Sequence, residues 1–202
     1  ITLTLSATDS TGVTQMQFSN DSATWSAPEA YGTTKAWTLP SGDGVKTIYG
    51  KFRDGVGNWS NAYTATVTLD TTAPVTAASP VGGTYGSGQN VTLIAGEQAT
   101  IYYTTDGTDP TESSSVYSAP IAIAGTATLK FFARDTVGNV ESIKSQSYVI
   151  DTVGPTGSIA VSGDRTRETS ITLTLSATDS TGVTQMQFSN DSATWSAPEA
   201  YG

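Results

Sequence analysis

The side chains able to do chemistry in this 202-residue sequence are almost all oxygen donors: 18 Asp and Glu, many Ser and Thr, and no Cys or His. Without His the commonest general base and zinc ligand is missing, and without Cys there is neither a disulfide nor a thiolate metal site. Oxygen donors suit Ca2+, which accepts six to eight hard ligands in loose geometry. A recurring Asp-x-Val-Gly-Asn, at Asp54–Asn58 and Asp135–Asn139, is the first such candidate. The same five residues also make a tight β-turn, with Asp capping it and Gly-Asn supplying left-handed positions. Asp106 and Asp109, in Thr-Thr-Asp-Gly-Thr-Asp-Pro-Thr from Thr104, resemble the carboxylate pair of a glycosidase. Asp-Gly followed by Asp-Pro is more economically a hairpin turn with a stiffened exit, and nothing nearby signals the cleft that raises a catalytic pKa. The sequence therefore predicts no enzyme and no required cofactor, with Ca2+ as the one ion its donors suit.

Two further groups of residues could bind or be modified. Trp25 and Trp37 are candidates for a sugar-stacking platform, with Tyr31, Trp59 and Tyr117 as further aromatics. Aromatic side chains of a β-sandwich serve equally as core or interdomain packing, and Trp59, just after an Asp-x-Val-Gly-Asn turn, suits an interdomain contact. Asn20, Asn58, Asn90 and Asn190 each begin an Asn-x-Ser/Thr triplet and are acceptors for N-glycosylation where the machinery exists. The formal charge of −9 repels phosphate backbones and argues against nucleic acid. No apolar run approaches the ~18 residues of a membrane-spanning helix.

The elements that must position these groups are strands. Ile1, Leu3, Leu5 and Ala7 alternate with Thr2, Thr4 and Ser6; Met16 and Phe18 alternate with Gln15, Gln17 and Ser19; Tyr63, Ala65, Val67 and Leu69 alternate with threonines. One apolar and one wet face is the signature of antiparallel sheets. Turn residues punctuate the chain every eight to twelve positions, which predicts sandwiches of about seven short strands.

The chain also repeats itself. Residues 171–202 are identical to residues 1–32, an offset of 170, as expected of a window on a tandem array. Within that period lies a weaker repeat: Trp-Ser-Ala-Pro at Trp25 matches Tyr-Ser-Ala-Pro at Tyr117, Arg53–Asn58 matches Arg134–Asn139, and Asp70–Pro74 matches Asp151–Pro155. The offsets are 92, 81 and 81 residues, so two diverged copies of one fold, A and B, alternate. The Asp-Thr-x-x-Pro segments are the seams, because proline cannot continue a ladder. Residues 1–70 read as domain A without its first strand, 71–151 as a complete domain B, and 152–202 as the first strands of the next domain A. The missing strand of the first copy would match Gly157–Gly163, Gly-Ser-Ile-Ala-Val-Ser-Gly.

Domain B, through Ile-Tyr-Tyr-Thr-Thr-Asp-Gly-Thr-Asp-Pro-Thr from Ile101, Tyr-Ser-Ala-Pro-Ile from Tyr117 and Ala-Arg-Asp-Thr-Val-Gly-Asn from Ala133, resembles the chitobiase/β-hexosaminidase C-terminal domain family. Domain A, through residues 5–26 and 49–60, resembles the Ig-like repeats of large bacterial and archaeal surface proteins. The resemblance implies tandem Ig-like or fibronectin-III-like β-sandwiches and a non-catalytic module. In such a sandwich the turns at one end would gather Asp70, Glu97, Asp135 and Asn139 as a Ca2+ site at the seam. The function expected is a structural repeat of an extracellular fibre, filament or surface stalk of a prokaryote, whose partners are neighbouring copies and whose split domain A is completed by strand addition. The alternative is an adhesin or carbohydrate-binding spacer of a secreted protein, with surface glycans as partners.

Overall fold

The structure, a computed structural model, describes residues 1–202. It contains strands, turns and no helix, so the all-β, sandwich-type fold class stands. The chain divides into two compact units, Ile1–Ala73 and Pro74–Gly202. The division falls on Pro74, three residues beyond the predicted boundary at 70/71, and residues 152–202 belong to the second unit.

The first unit runs through β1 (Thr2–Thr4), β2 (Val13–Ser19), β3 (Glu29–Ala30), β4 (Thr34–Ala36), β5 (Gly44–Asp54) and β6 (Tyr63–Leu69). Four of these form one sheet in the order β3-β2-β5-β6, and β1 pairs with β4 as a separate two-stranded sheet. Alternation along β2 turns Met16 and Phe18 inward, where both are buried with Ile48 of β5, as the period of two requires. Glycine at position 50 lets the Phe18 ring lie against β5, since an added Cβ would sit 3.4 Å from it.

Domain B follows the same plan with every layer present. Its strands are β7 (Thr76–Ser79), β8 (Gly83–Tyr85), β9 (Gln89–Ala95), β10 (Ala99–Thr104), β11 (Ser115–Val116), β12 (Ile121–Ile123), β13 (Ala127–Asp135) and β14 (Lys144–Ile150). A five-stranded sheet, β11-β10-β13-β14-β8, faces a three-stranded one, β12-β9-β7. Val91 and Leu93 of β9 and Ile121 and Ile123 of β12 pack against Ile101, Leu129, Phe131 and Tyr148 from the larger sheet. The Tyr148 hydroxyl, carried into this core, donates to the Pro80 carbonyl at 2.8 Å, which removes the penalty of burying it unpaired.

Beyond domain B come β15 (Thr156–Val161) paired with β16 (Leu173–Thr178), and β17 (Gln185–Met186) paired with β18 (Glu199–Ala200). The second copy of the repeat reproduces the local structure of the first. Gln185 and Met186 pair with Ala200 and Glu199 as Gln15 and Met16 pair with Ala30 and Glu29. Ala7 donates to the Tyr31 hydroxyl at 3.0 Å and Ala177 to that of Tyr201 at 2.6 Å. Ser22 and Ser192 both adopt a positive φ, 61° and 57°, because Asp21 and Asp191 gather the next two amides of the turn in the same way.

The closed core of domain B yields a direct expectation. Phe131→Ala opens a cavity at a residue 1% exposed and should cost the second unit about 3–5 kcal/mol. Ile94→Ala, on the solvent face at 60% exposure, should change stability by less than about 0.5 kcal/mol. Urea unfolding followed by hydrogen exchange in β13 and β14 measures both.

Candidate functional site

The widest concavity in the molecule lies wholly inside the first unit. It is a trough of about 850 Å3, walled by residues 1–9 on one side and by the inner faces of β5 and β6 on the other. Leu3, Leu5, Ile48, Phe52 and Val67 supply its apolar floor and wall. The Leu5 amide donates to the Thr33 carbonyl at 2.8 Å and the Trp37 amide to the Ile1 carbonyl at 2.9 Å. Odd-numbered positions of this segment therefore direct their backbone groups toward β4. By antiparallel alternation, the N–H and C=O of Thr4 and Ser6 point to the opposite side, where β1 has no neighbouring strand. An unpaired edge above an apolar floor can accept an extended segment by main-chain pairing.

The two Asp-x-Val-Gly-Asn turns are built alike. Asp135 Oδ1 accepts from the amides of Val137, Gly138 and Asn139 at 2.9, 2.7 and 2.8 Å, and Oδ2 from the Asn139 side chain at 2.7 Å. Asp54 does the same with Val56, Gly57 and Asn58. Gly57 and Gly138 both sit at φ 105°, a left-handed position that favours glycine. Backbone and side-chain N–H groups of Asn58 hold the Asp54 carboxyl below the usual carboxylate range. For Asp135 burial opposes the charge, but the Asn139 side chain and the turn amides prevail and lower its pKa as well. Both oxygens of each Asp are thus engaged inside its own turn. Of the acidic set at the predicted seam, Glu97 is exposed in the β9–β10 turn and has a carboxylate oxygen within 4.8 Å of one from Asp135. Asp70 directly follows β6, in the first unit.

The candidate aromatics have packing partners. Lys51 Nζ sits 3.9 Å above the Trp25 ring, and the Trp25 indole N–H donates to the Ser22 carbonyl. Trp37 packs on Phe18 with ring centroids 5.6 Å apart and donates to Asn20 Oδ1 at 2.8 Å. Tyr31 meets Phe52 edge-on at 5.9 Å, Tyr117 packs on the core of domain B, and Trp59 remains exposed with Arg53 over its ring at 5.9 Å. Trp195, the second copy of Trp25, is 56% exposed. Among the sequon residues, Asn20 donates to the Thr38 carbonyl and Asn58 to Asp54, whereas Asn90 on β9 and Asn190 are exposed. Asp106 accepts from the amide and hydroxyl of Thr108, and Asp109 pairs with Lys130 at 2.7 Å; both carboxylates belong to the predicted turn.

Sequence reasoning missed Glu141. Its nearly buried carboxylate accepts from the amides of Thr76 and Ala133, the Thr76 hydroxyl and Lys144 Nζ, so it pins β7, the first strand of domain B, to the opposite sheet. Extending the offset of 81 past Asn58 aligns Glu141 with Ser60 and Thr76 with Gly157. That alignment was the available signal: domain A has no equivalent of this pin. Ser60 Oγ keeps only the local bond, accepting from the Phe52 amide at 3.0 Å.

Residues 80–145 match the family model of the chitobiase/beta-hexosaminidase C-terminal domain. The chain is also similar to the structure of the Clostridium thermocellum CbhA fibronectin(III)-like modules, at 14% identity over 75% of this chain and 85% of that one, with a TM-score of 0.41. No curated protein matches it. The broad features of the sequence reading, an Ig-like module and the family resembled by domain B, therefore hold over residues 80–145.

The turn carboxylates give a pH expectation. A carboxyl held below its unfolded pKa of about 3.9 contributes stability that is complete above that pH and fades as pH falls toward the folded value. Asp135→Asn should accordingly lower the Tm of the second unit at pH 7, and the deficit relative to the unsubstituted chain should shrink below about pH 4. A series of thermal melts between pH 7 and pH 2.5 checks this.

Proposed function

We propose that the chain is a non-catalytic structural repeat of an extracellular fibre, filament or cell-surface stalk of a prokaryote, in which domain A is completed by β-strand addition. One observation carries the reading: the same 32 residues occur twice, keep the same local register in both copies, and in the first copy border an open trough and an unpaired edge. Domains that bury their own cores and repeat along a chain build length without any active site. The family matched by residues 80–145 is named for a domain at the C-terminus of secreted-type glycosidases, which supports an extracellular setting. Neighbouring copies of the repeat are its partners, and Ca2+ is an optional ligand rather than a requirement.

The same match favours a second reading, a carbohydrate-binding spacer, because chitobiase and β-hexosaminidase act on sugars. Trp25 and Trp37 are the residues it would use. Glycan-array binding by the chain, abolished by Trp25→Ala with Trp37→Ala, would favour that reading.

Immunogold labelling of the native cell with an antibody to domain B tests the leading proposal. It predicts labels at a regular interval along unbranched fibres or stalks. Label confined to dispersed soluble protein would contradict it.

A further inference from the structure

We propose that the trough of the first unit is the seat of Thr156–Val161 from a second copy of this chain, added antiparallel to the free edge of β1. Thr156 then lies opposite Thr8, Gly157 opposite Ala7, Ile159 opposite Leu5 and Val161 opposite Leu3. This rests on the repeat-fibre reading above and specifies its joint.

The register comes from the chain itself. Residues 173–178 are identical to residues 3–8, and β15 pairs with them as Thr156 to Thr178, Gly157 to Ala177, Ile159 to Leu175 and Val161 to Leu173. Domain B repeats this arrangement in a closed sandwich, where Thr76 lies opposite Ala95 and Ala78 opposite Leu93. Aligned through the seam prolines Pro74 and Pro155, those pairs coincide with Gly157–Ala177 and Ile159–Leu175. The sheet order β12-β9-β7 of domain B thus predicts β4-β1-β15 for a complete domain A.

Both halves of the joint are exposed and match in character. Ile159 and Val161 are 60% and 53% exposed, although they lie opposite Leu175 and Leu173 and so share their face of the sheet. The trough offers that face an apolar floor at Ile48, Phe52 and Val67. Val67 of β6 aligns, at the offset of 81, with Tyr148, which is fully buried in domain B. The ladder made with β1 would be identical in sequence and register to the one made with β16. What differs is the sheet of β3, β2, β5 and β6 standing behind β1, so the exchange gains apolar burial without giving up pairing.

Two features make this strand the exchangeable one. Glu141 fastens β7 through Thr76 in domain B, whereas the aligned residues in domain A, Ser60 and Gly157, cannot form that link. Close approach also demands glycine at 157: an added Cβ would lie 2.5 Å from the Ser176 carbonyl oxygen and 3.0 Å from the Ala177 Cβ. The acceptor presents the same atoms on Ser6 and Ala7. Gly157→Val therefore disables the donor and leaves the acceptor unaltered.

Sedimentation velocity of the full 202-residue chain over a hundredfold concentration range, combined with hydrogen exchange, tests the joint. Concentration-dependent oligomers are expected, with the amides of Thr4, Ser6 and Thr8 at least tenfold slower to exchange in the oligomer than in the dilute chain. Gly157→Val should abolish the oligomers. A synthetic peptide of residues 154–172 added to that variant should restore the slow exchange, a readout that needs only an intact acceptor. Oligomers that survive Gly157→Val, slow exchange in a strictly monomeric chain, or fast exchange at saturating peptide would each overturn the assignment. The fibre reading fails separately, by the absence of labelled fibres on cells, and peptide-induced protection would be unaffected by that result.

Discussion

Burial of one antiparallel sheet's inner face against another, at roughly 25 cal/mol per Å2 of apolar area, is the interaction on which the other features of this chain depend. Domain B has both sheets, and Val91, Leu129 and Tyr148 are completely shielded. In the first unit the four-stranded sheet faces only β1 and β4, and the trough marks where the covering layer is thin. The residues after domain B show the reverse imbalance, a β15–β16 pair with its apolar side chains open to solvent. The same alternating pattern therefore yields a closed core or an exposed face according to which strands stand opposite it.

The repeated 32 residues separate what is local from what is not. Both copies form the Asp-capped turn, the two-residue strand pair and the tyrosine-to-backbone hydrogen bond, because each needs only partners within a few tens of residues. Burial does not transfer. Phe18 is 1% exposed beneath β5, whereas Phe188 has no such strand over it and is only half-buried. Trp25 has Lys51 over its ring, while Trp195 stands mostly in solvent.

The sequence made the strands legible wherever alternation was clean, as in β2, β6 and β15, and it made the turns legible from Asp-Gly, Asp-Pro and Val-Gly-Asn. Strand length was harder to read. Ile1 to Ala7 alternate throughout, yet β1 spans only Thr2–Thr4, while the identical letters in the second copy form β16 as far as Thr178. Extent here is set by the neighbour: β15 supports the longer strand and β4 only the shorter. The role of Glu141 was hidden for a related reason, since its partner Thr76 lies 65 residues away. Likewise, the packing of Trp25 depends on Lys51 from a different strand. Those contacts follow from topology, which no local pattern encodes.

Domain A is thus a sandwich whose first strand is not pinned in place, joined in one period to a domain B whose first strand is. A repeat built this way can link copies by sharing a strand while each domain B remains closed. A high-resolution electron cryomicroscopy structure of the assembled repeats tests this most directly. The account predicts an antiparallel strand along the free edge of β1, with Ile159 opposite Leu5 and Val161 opposite Leu3. A bare β1 edge in the assembled state would contradict it.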